Sequence, residues 1–176
     1  ATNDRKFMPC FRDMAKGSIL VFDKAYLNYE LYLHWISTGV GFITRLHRQC
    51  AVTILDEGAV SKAQKALGVL RDQWVLLGPK DGSDPLRVRL VTYYDKVNER
   101  EFQFITNVTK LGAFNIAQAY KQRWQIELLF KRLKQNLKFT DFVGDNENAI
   151  RIQIWCALIA DLLVTIKRKV LKFKVQ

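Results

Sequence analysis

Two rhythms of apolar and polar residues run along this chain. "SILVF" (18–22) is an unbroken apolar run with β-branched members. It predicts a strand covered on both faces, ending abruptly at Asp23. "YLNYELYLHWIS" (26–37) spaces Leu27, Leu31 and Trp35 four apart, with Tyr32 and Ile36 widening the stripe. That spacing predicts a helix, and Gly39 supplies its stop. "VGFITRL" (40–46) predicts a second strand, and residues 5–16 a short amphipathic helix closed by Gly17.

Over residues 50–107 the pattern changes. "AVTIL", "WVLLG", "LRVRLVTYY" and "EFQFIT" are strand-like pieces separated by Gly, Pro and Asp turns, with "PKDGSDP" (79–85) the clearest loop. "LRVRLV" alternates apolar and basic residues, as a half-exposed antiparallel strand does. This stretch predicts an all-β insertion. From Leu111 onward the pattern is helical. One long helix is expected over about 112–137 and another over about 147–171, with a break near "TDFVGDN". No internal repeat or low-complexity tract is present.

Charge sharpens this picture. The 176 residues are 49% hydrophobic, enough for a packed core, and carry a formal net charge of +11 with a pI near 9.7. Such a balance points to a polyanionic partner, nucleic acid first and an anionic membrane surface second. The excess concentrates on the long helix: residues 111–140 hold six Lys or Arg against one acid, Glu127, whereas residues 1–110 hold sixteen against twelve. Cys10, Cys50 and Cys156 are scattered and odd in number, so neither a disulfide framework nor a zinc pattern is expected, and buried reduced thiols are. His34 and His47 have no metal-ligand spacing, and no secretory leader is recognisable. "IWCALIADLLVTI" (154–166) is short for a membrane span and contains Asp161, so a buried core helix is expected. The chain begins with Ala and reads as part of something longer.

On a helix at about 100° per residue, Tyr120, Arg123, Glu127, Lys131, Lys134 and Lys138 fall within an arc of roughly 80°. Ile126, Leu129, Phe130, Leu133 and Leu137 form a second arc roughly 110° away, which is expected to dock on the sheet. A solvated face with i,i+4 pairs would explain the first arc. So would a site in which Glu127 holds a divalent cation and the flanking bases hold phosphates. A lone carboxylate holds Mg²⁺ weakly, so that second explanation needs another acid. Asp23, at the end of a buried strand, is the candidate. Trp74 is expected as a strand residue, with base stacking the alternative. Trp124 and Trp155 read as packing. Lys167, Arg168, Lys169, Lys172 and Lys174 form a basic tail.

Tyr120, Arg123, Glu127 and Lys134 fit the spacing Tyr-x2-Arg-x3-Glu-x6-Lys. This resembles the signature of bacterial insertion-sequence transposases of the IS-four type, members of the DDE class with a ribonuclease H-like core. "VFDKAYLNY" (21–29) resembles the segment carrying that family's second catalytic Asp. "FITRL" (42–46) and "FITN" (104–107) resemble the strands flanking its β insertion, and "NAIRIQIWCALIA" (148–160) its closing helix.

The resemblance implies an α/β fold: a partial ribonuclease H-like core with an all-β insertion between the second-Asp region and the Glu-bearing helix. Residues 1–49 would open the core, 50–107 form the insertion, and 108–176 complete the core. Asp23 and Glu127 would be catalytic metal ligands for Mg²⁺ (or Mn²⁺), approaching within about 4–8 Å to share a two-metal site. Tyr120, Arg123, Lys131 and Lys134 would contact DNA phosphates. The complete protein would cleave DNA and transfer strands at transposon ends and target duplex. A homodimer is a candidate assembly on the DNA; the setting is bacterial, cytoplasmic and nucleoid-associated, and no membrane is involved. The family's first catalytic Asp has no counterpart before Asp23, so this chain alone is expected to bind DNA without cutting it. A non-catalytic or domesticated DNA-binding domain, and a ribonuclease H-like nuclease without strand transfer, remain alternatives.

Overall fold

The computed structural model describes residues 4–79, 85–136 and 146–171. The expected loop over 79–85, the break near "TDFVGDN", and Leu137, Lys138, Lys172 and Lys174 lie wholly or mostly outside them. The chain divides into two compact units, residues 1–123 and 124–176.

The first unit is built on one six-stranded sheet. Its strands are β1 (Ile19–Val21), β2 (Gly41–Arg45), β3 (Cys50–Glu57), β4 (Val69–Pro79), β5 (Leu86–Asp95) and β6 (Arg100–Thr106), in the order β1-β2-β6-β5-β4-β3. β1 and β2 run parallel, so a crossover must join them. That crossover is α1 (Tyr29–Thr38). Asn28 caps its start by accepting the Leu31 N–H at 3.0 Å. Gly39 ends it at φ 74°, a left-handed conformation that costs glycine little. β3 to β6 form an antiparallel meander, and β6 closes antiparallel onto β2. Residues 50–107 are therefore mainly strand, and they extend the sheet of β1 and β2. The pattern did not foresee α2 (Lys62–Ala66), which is capped by Ser61.

Each face of the sheet has its own core. On one, Leu31, Tyr32 and Trp35 of α1 pack with Phe42, Val75, Leu77, Val88 and Ile105. Tyr32 stacks on Phe42 with ring centroids 4.7 Å apart. Met8, from a 3-10 turn over Asp4–Phe11, joins them. A longer α-helix was expected there; Pro9 lies inside the turn and lacks the N–H such a helix needs. On the other face, Ala113, Ile116, Ala117 and Tyr120 of α3 (Ala113–Asn136) cover Ile43, Val69, Val91 and Phe104.

This docking corrects one expectation. Ile126 and Phe130 are about half exposed and Leu129 is partly exposed, although Leu133 is buried. The helix rests on the sheet through its first turns, where two alanines permit close approach.

Arg89 corrects another. The alternation in "LRVRLV" puts Arg87 in solvent, but Arg89 is buried. Its guanidinium donates to both oxygens of Asp72, at 2.7 and 2.6 Å, and to the carbonyls of Leu111 (2.7 Å) and Val108 (3.3 Å). Those carbonyls belong to the segment leading into α3. One paired cation therefore ties β5 and β4 to that segment. Trp74 is half-buried, with the Arg87 guanidinium 5.0 Å from its ring centroid.

The second unit holds the turns of α3 from Trp124 onward and α4 (Glu147–Val170), capped by Asn146. Arg132 donates to both oxygens of Asp161 at 3.2 Å. Among the described residues of this unit, Leu133 and Ala157 are the buried hydrophobics. α4 was expected to be a buried core helix, yet Ile152, Ile159, Leu162 and Leu163 are all exposed. Trp124 and Trp155, expected to pack, are exposed too. A helix apolar on every side needs apolar cover on every side, and sequence pattern alone does not supply it. At 24 residues, α4 is also long and apolar enough to cross a membrane by length and composition. Core helices meet the same criterion. All three cysteines are free; Cys10 and Cys156 are exposed and Cys50 partly so, against the expectation of burial.

Candidate functional site

Asp23 stands at the carboxyl end of β1. Phe22 continues the parallel ladder one residue past the strand, its N–H donating to Ile43 O at 3.2 Å. The Phe22 ring lies against Tyr32, Trp35 and Phe42. With Phe22 committed to one face, the next side chain is directed to the other, where α3 lies. Asp23 Oδ1 accepts the Ala25 N–H at 3.0 Å, and Asp23 O accepts the Tyr26 N–H at 3.1 Å. This local turn holds the carboxylate at the sheet end.

α3 brings two of its residues to that carboxylate. Arg123 Nη2 lies 3.8 Å from Asp23 Oδ2, with the Arg123 side chain 14% exposed and Asp23 37%. The Tyr120 ring is buried against Phe104, centroids 5.0 Å apart, and the Arg123 guanidinium carbon is 5.4 Å from it. The Tyr120 phenol pKa is raised above its ordinary value, first by burial and then by the Asp23 charge; Arg123 and Arg45 pull the other way. Tyr120 therefore presents a protonated hydroxyl to this cluster near neutral pH. The expectation of an open polar stripe needs correcting at this residue, because the Tyr120 ring belongs to the core.

Farther along α3, Glu127, Lys131 and Lys134 line a concavity of about 530 Å³ with Phe130 and Gln135. All three charged side chains are exposed. Glu127 belongs to the second unit and Asp23 to the first. Among the described residues, no group of three or more His, Cys, Asp or Glu could hold a metal ion. In the first unit the sequence pattern missed Arg45, which follows Thr44 at the end of β2 and acts electrostatically on Tyr120. A single arginine at a strand end has no periodicity to announce it. Its place at the same end of the sheet as Asp23 emerges only from the parallel register that pairs Val21 with Ile43.

Known proteins resemble this sequence. The model of the transposase DDE domain family matches residues 2–163. A Sinorhizobium fredii protein, named as the transposase y4zB, is 34% identical over 152 residues, covering 85% of this chain and 42% of its own length. A Geobacillus stearothermophilus protein, named as a transposase for insertion sequence element IS5377, is 30% identical over 152 residues, covering 83% and 38%. A Synechocystis protein, named as a transposase for element IS4SA, is 38% identical over 90 residues, covering 47% and 26%. The chain thus spans less than half the length of these relatives. No solved structure matches it at a significant level. The chain belongs to the transposase DDE domain family.

Proposed function

We propose that this chain is part of an IS-four-type transposase whose complete form cleaves DNA and transfers strands. The observation that carries this reading is the convergence of Asp23, Tyr120 and Arg123. The motif supplies Tyr120 and Arg123 from one helix, and the candidate Asp segment supplies their neighbour from almost a hundred residues earlier. In this reading Arg123 forks onto a backbone phosphate, Tyr120 donates a hydrogen bond to it, and Lys131 and Lys134 add point charges. These contacts position the double helix without reading its sequence. Residues 50–107 are an insertion that enlarges the core sheet. A homodimer on transposon-end and target DNA, in the bacterial cytoplasm at the nucleoid, completes the proposal.

Asp23 and Glu127 are the proposed ligands of Mg²⁺ or Mn²⁺. Hard carboxylate oxygens suit either ion, and the Asp23 carboxylate is accessible at the sheet end. When bound, such ions activate the attacking hydroxyl and stabilise the leaving oxygen. A second reading is DNA binding without cleavage by this chain.

Electrophoretic mobility shifts over a salt series test the first reading. The chain should bind duplex DNA of any sequence with steep salt dependence. Arg123→Ala or Lys134→Ala should each flatten the slope of log K against log salt by about one unit. Glu127→Gln should bind at least as well without metal. Unchanged slopes in both cation variants would remove the assigned phosphate contacts. Plasmid nicking in Mg²⁺ by the unaltered chain, lost in Glu127→Gln, would overturn the second reading.

A further inference from the structure

Beyond the cluster at Asp23, the same end of the sheet carries three residues that the family signature does not include. Arg45 ends β2, and its guanidinium carbon lies 5.0 Å from the Phe102 ring centroid. Arg100 begins β6, and its guanidinium carbon lies 4.4 Å from the same ring. Phe102 in turn stacks on Phe104, centroids 5.9 Å apart, and Phe104 touches Tyr120. Because β6 runs antiparallel to β2, its first residues meet the carboxyl end of β2. Because β1 runs parallel to β2, Asp23 reaches that end as well.

We propose that Arg45 and Arg100, braced on Phe102, form a second DNA-phosphate anchor continuous with Asp23, Tyr120 and Arg123. Among the described residues, neither guanidinium has an acidic partner. Asp95, opposite Arg100 in the register, has its carboxylate committed to Asn98 at 2.7 Å and Lys121 at 3.8 Å. Two uncompensated cations sharing one ring repel each other, so an anion between them is favoured. Stacking on a ring leaves the in-plane N–H donors of a guanidinium available for phosphate, and holding it there lowers the entropy lost on binding. β1, β2 and β6 are adjacent strands about 4.8 Å apart, so the row spans roughly 10 Å. One DNA strand presents about three phosphates over that rise. The ledge would carry the backbone across the strand ends toward Asp23.

This inference rests on the DNA-binding reading above, and the experiment separates the two. Anisotropy of a fluorescein-labelled mixed-sequence duplex is measured over a salt series for the unaltered chain, Arg45→Gln, Arg100→Gln, the double variant, Phe102→Leu and Phe102→Tyr. Lys16→Gln, at the opposite end of β1, is the control. Circular dichroism checks folding; Arg100 is exposed and Arg45 only partly buried. Each Arg variant should flatten the log–log slope by about 0.9, and the double variant by about twice that. Phe102→Leu should weaken binding about two- to fivefold at unchanged slope, and Phe102→Tyr should restore it. If the unaltered chain binds and the double variant matches Lys16→Gln, the ledge is overturned while the DNA-binding reading stands. If the unaltered chain does not bind, both fall.

Discussion

α3 passes from one compact unit into the other, and its two halves behave differently. In residues 113–123 it buries Ala113, Ile116, Ala117 and Tyr120 on a sheet. From Trp124 on it exposes Trp124, Ile126, Leu128 and Phe130. Each half carries six apolar residues, and those of the exposed half are the larger ones. Burial is therefore decided by what lies opposite, and hydrophobic composition states only what could be buried. The first unit has a finished core on both sheet faces, whereas the second is two helices whose apolar surface is largely open.

The largest test of this contrast compares two tryptophans. Trp35 is wholly buried among Tyr32, Phe22 and Phe42, and its indole N–H donates to Phe11 O at 2.9 Å. Trp35→Ala should cost about 3–5 kcal/mol in urea unfolding. Trp155 is 65% exposed, and Trp155→Ala should stay within about 0.5 kcal/mol. Equal costs would mean that α4 is covered in solution and the contrast is false.

Next is the clamp inside the first unit. Arg89→Met leaves the Asp72 carboxylate without its partner and should cost about 3 kcal/mol. Adding Asp72→Leu should recover most of it, because the lone buried charge is then gone. If the double variant is no more stable than the single, the cost comes from the carbonyls of Val108 and Leu111 rather than from the ion pair.

Alkaline pH should also separate the units. Burial raises the phenol pKa of Tyr32, Tyr93 and Tyr120, the last two with help from Asp95 and Asp23 respectively. The unfolded chain then ionises first. Their contribution is complete below about pH 10, the unfolded value, and is lost as pH climbs through the folded values. All six tyrosines lie in the first unit. Near-ultraviolet circular dichroism of the sheet core should therefore fade above that pH. A folded baseline that stays flat there would contradict the burial of these phenols.

The smallest effects concern two matching caps. Asn28 and Asn146 each accept an N–H three residues on, at 3.0 and 2.7 Å. Replacing Asn28 with Ala should lower global stability by about 1 kcal/mol. Replacing Asn146 should speed amide exchange in the first turn of α4 and leave the sheet amides untouched. Sheet amides that respond to both changes would join the two units into one cooperative block.

Much of this architecture is legible in the sequence where local rules decide it. Gly39 ends α1 as the spacing predicts, and the apolar runs coincide with β1 to β6. Long-range pairing escapes such rules. Arg89 looks solvent-facing because its partner Asp72 is 17 positions away on another strand. α2 is too short for periodicity to reveal. At the site, the motif named Tyr120 and Arg123, and the strand end named Asp23. No pattern could announce that Tyr120 would be half core and half site, since that depends on Phe104 lying beneath it.

The closing of β6 onto β2 has a consequence for how the protein is made. The Thr106 hydroxyl donates to Phe42 O, 64 positions earlier in the chain. The meander β3 to β6 grows by neighbouring hairpins, each able to form as it is synthesised. β2 must wait for its partner. At about 5–20 residues per second, roughly 3 to 13 s separate the synthesis of Phe42 from that of Thr106. Through that interval β2, whose Phe42 and Ile43 are wholly buried at the end, has β1 alone to pair with. Ribosome-bound chains halted before Arg100 should be cut by protease within β2, and chains extended past Asn136 should resist.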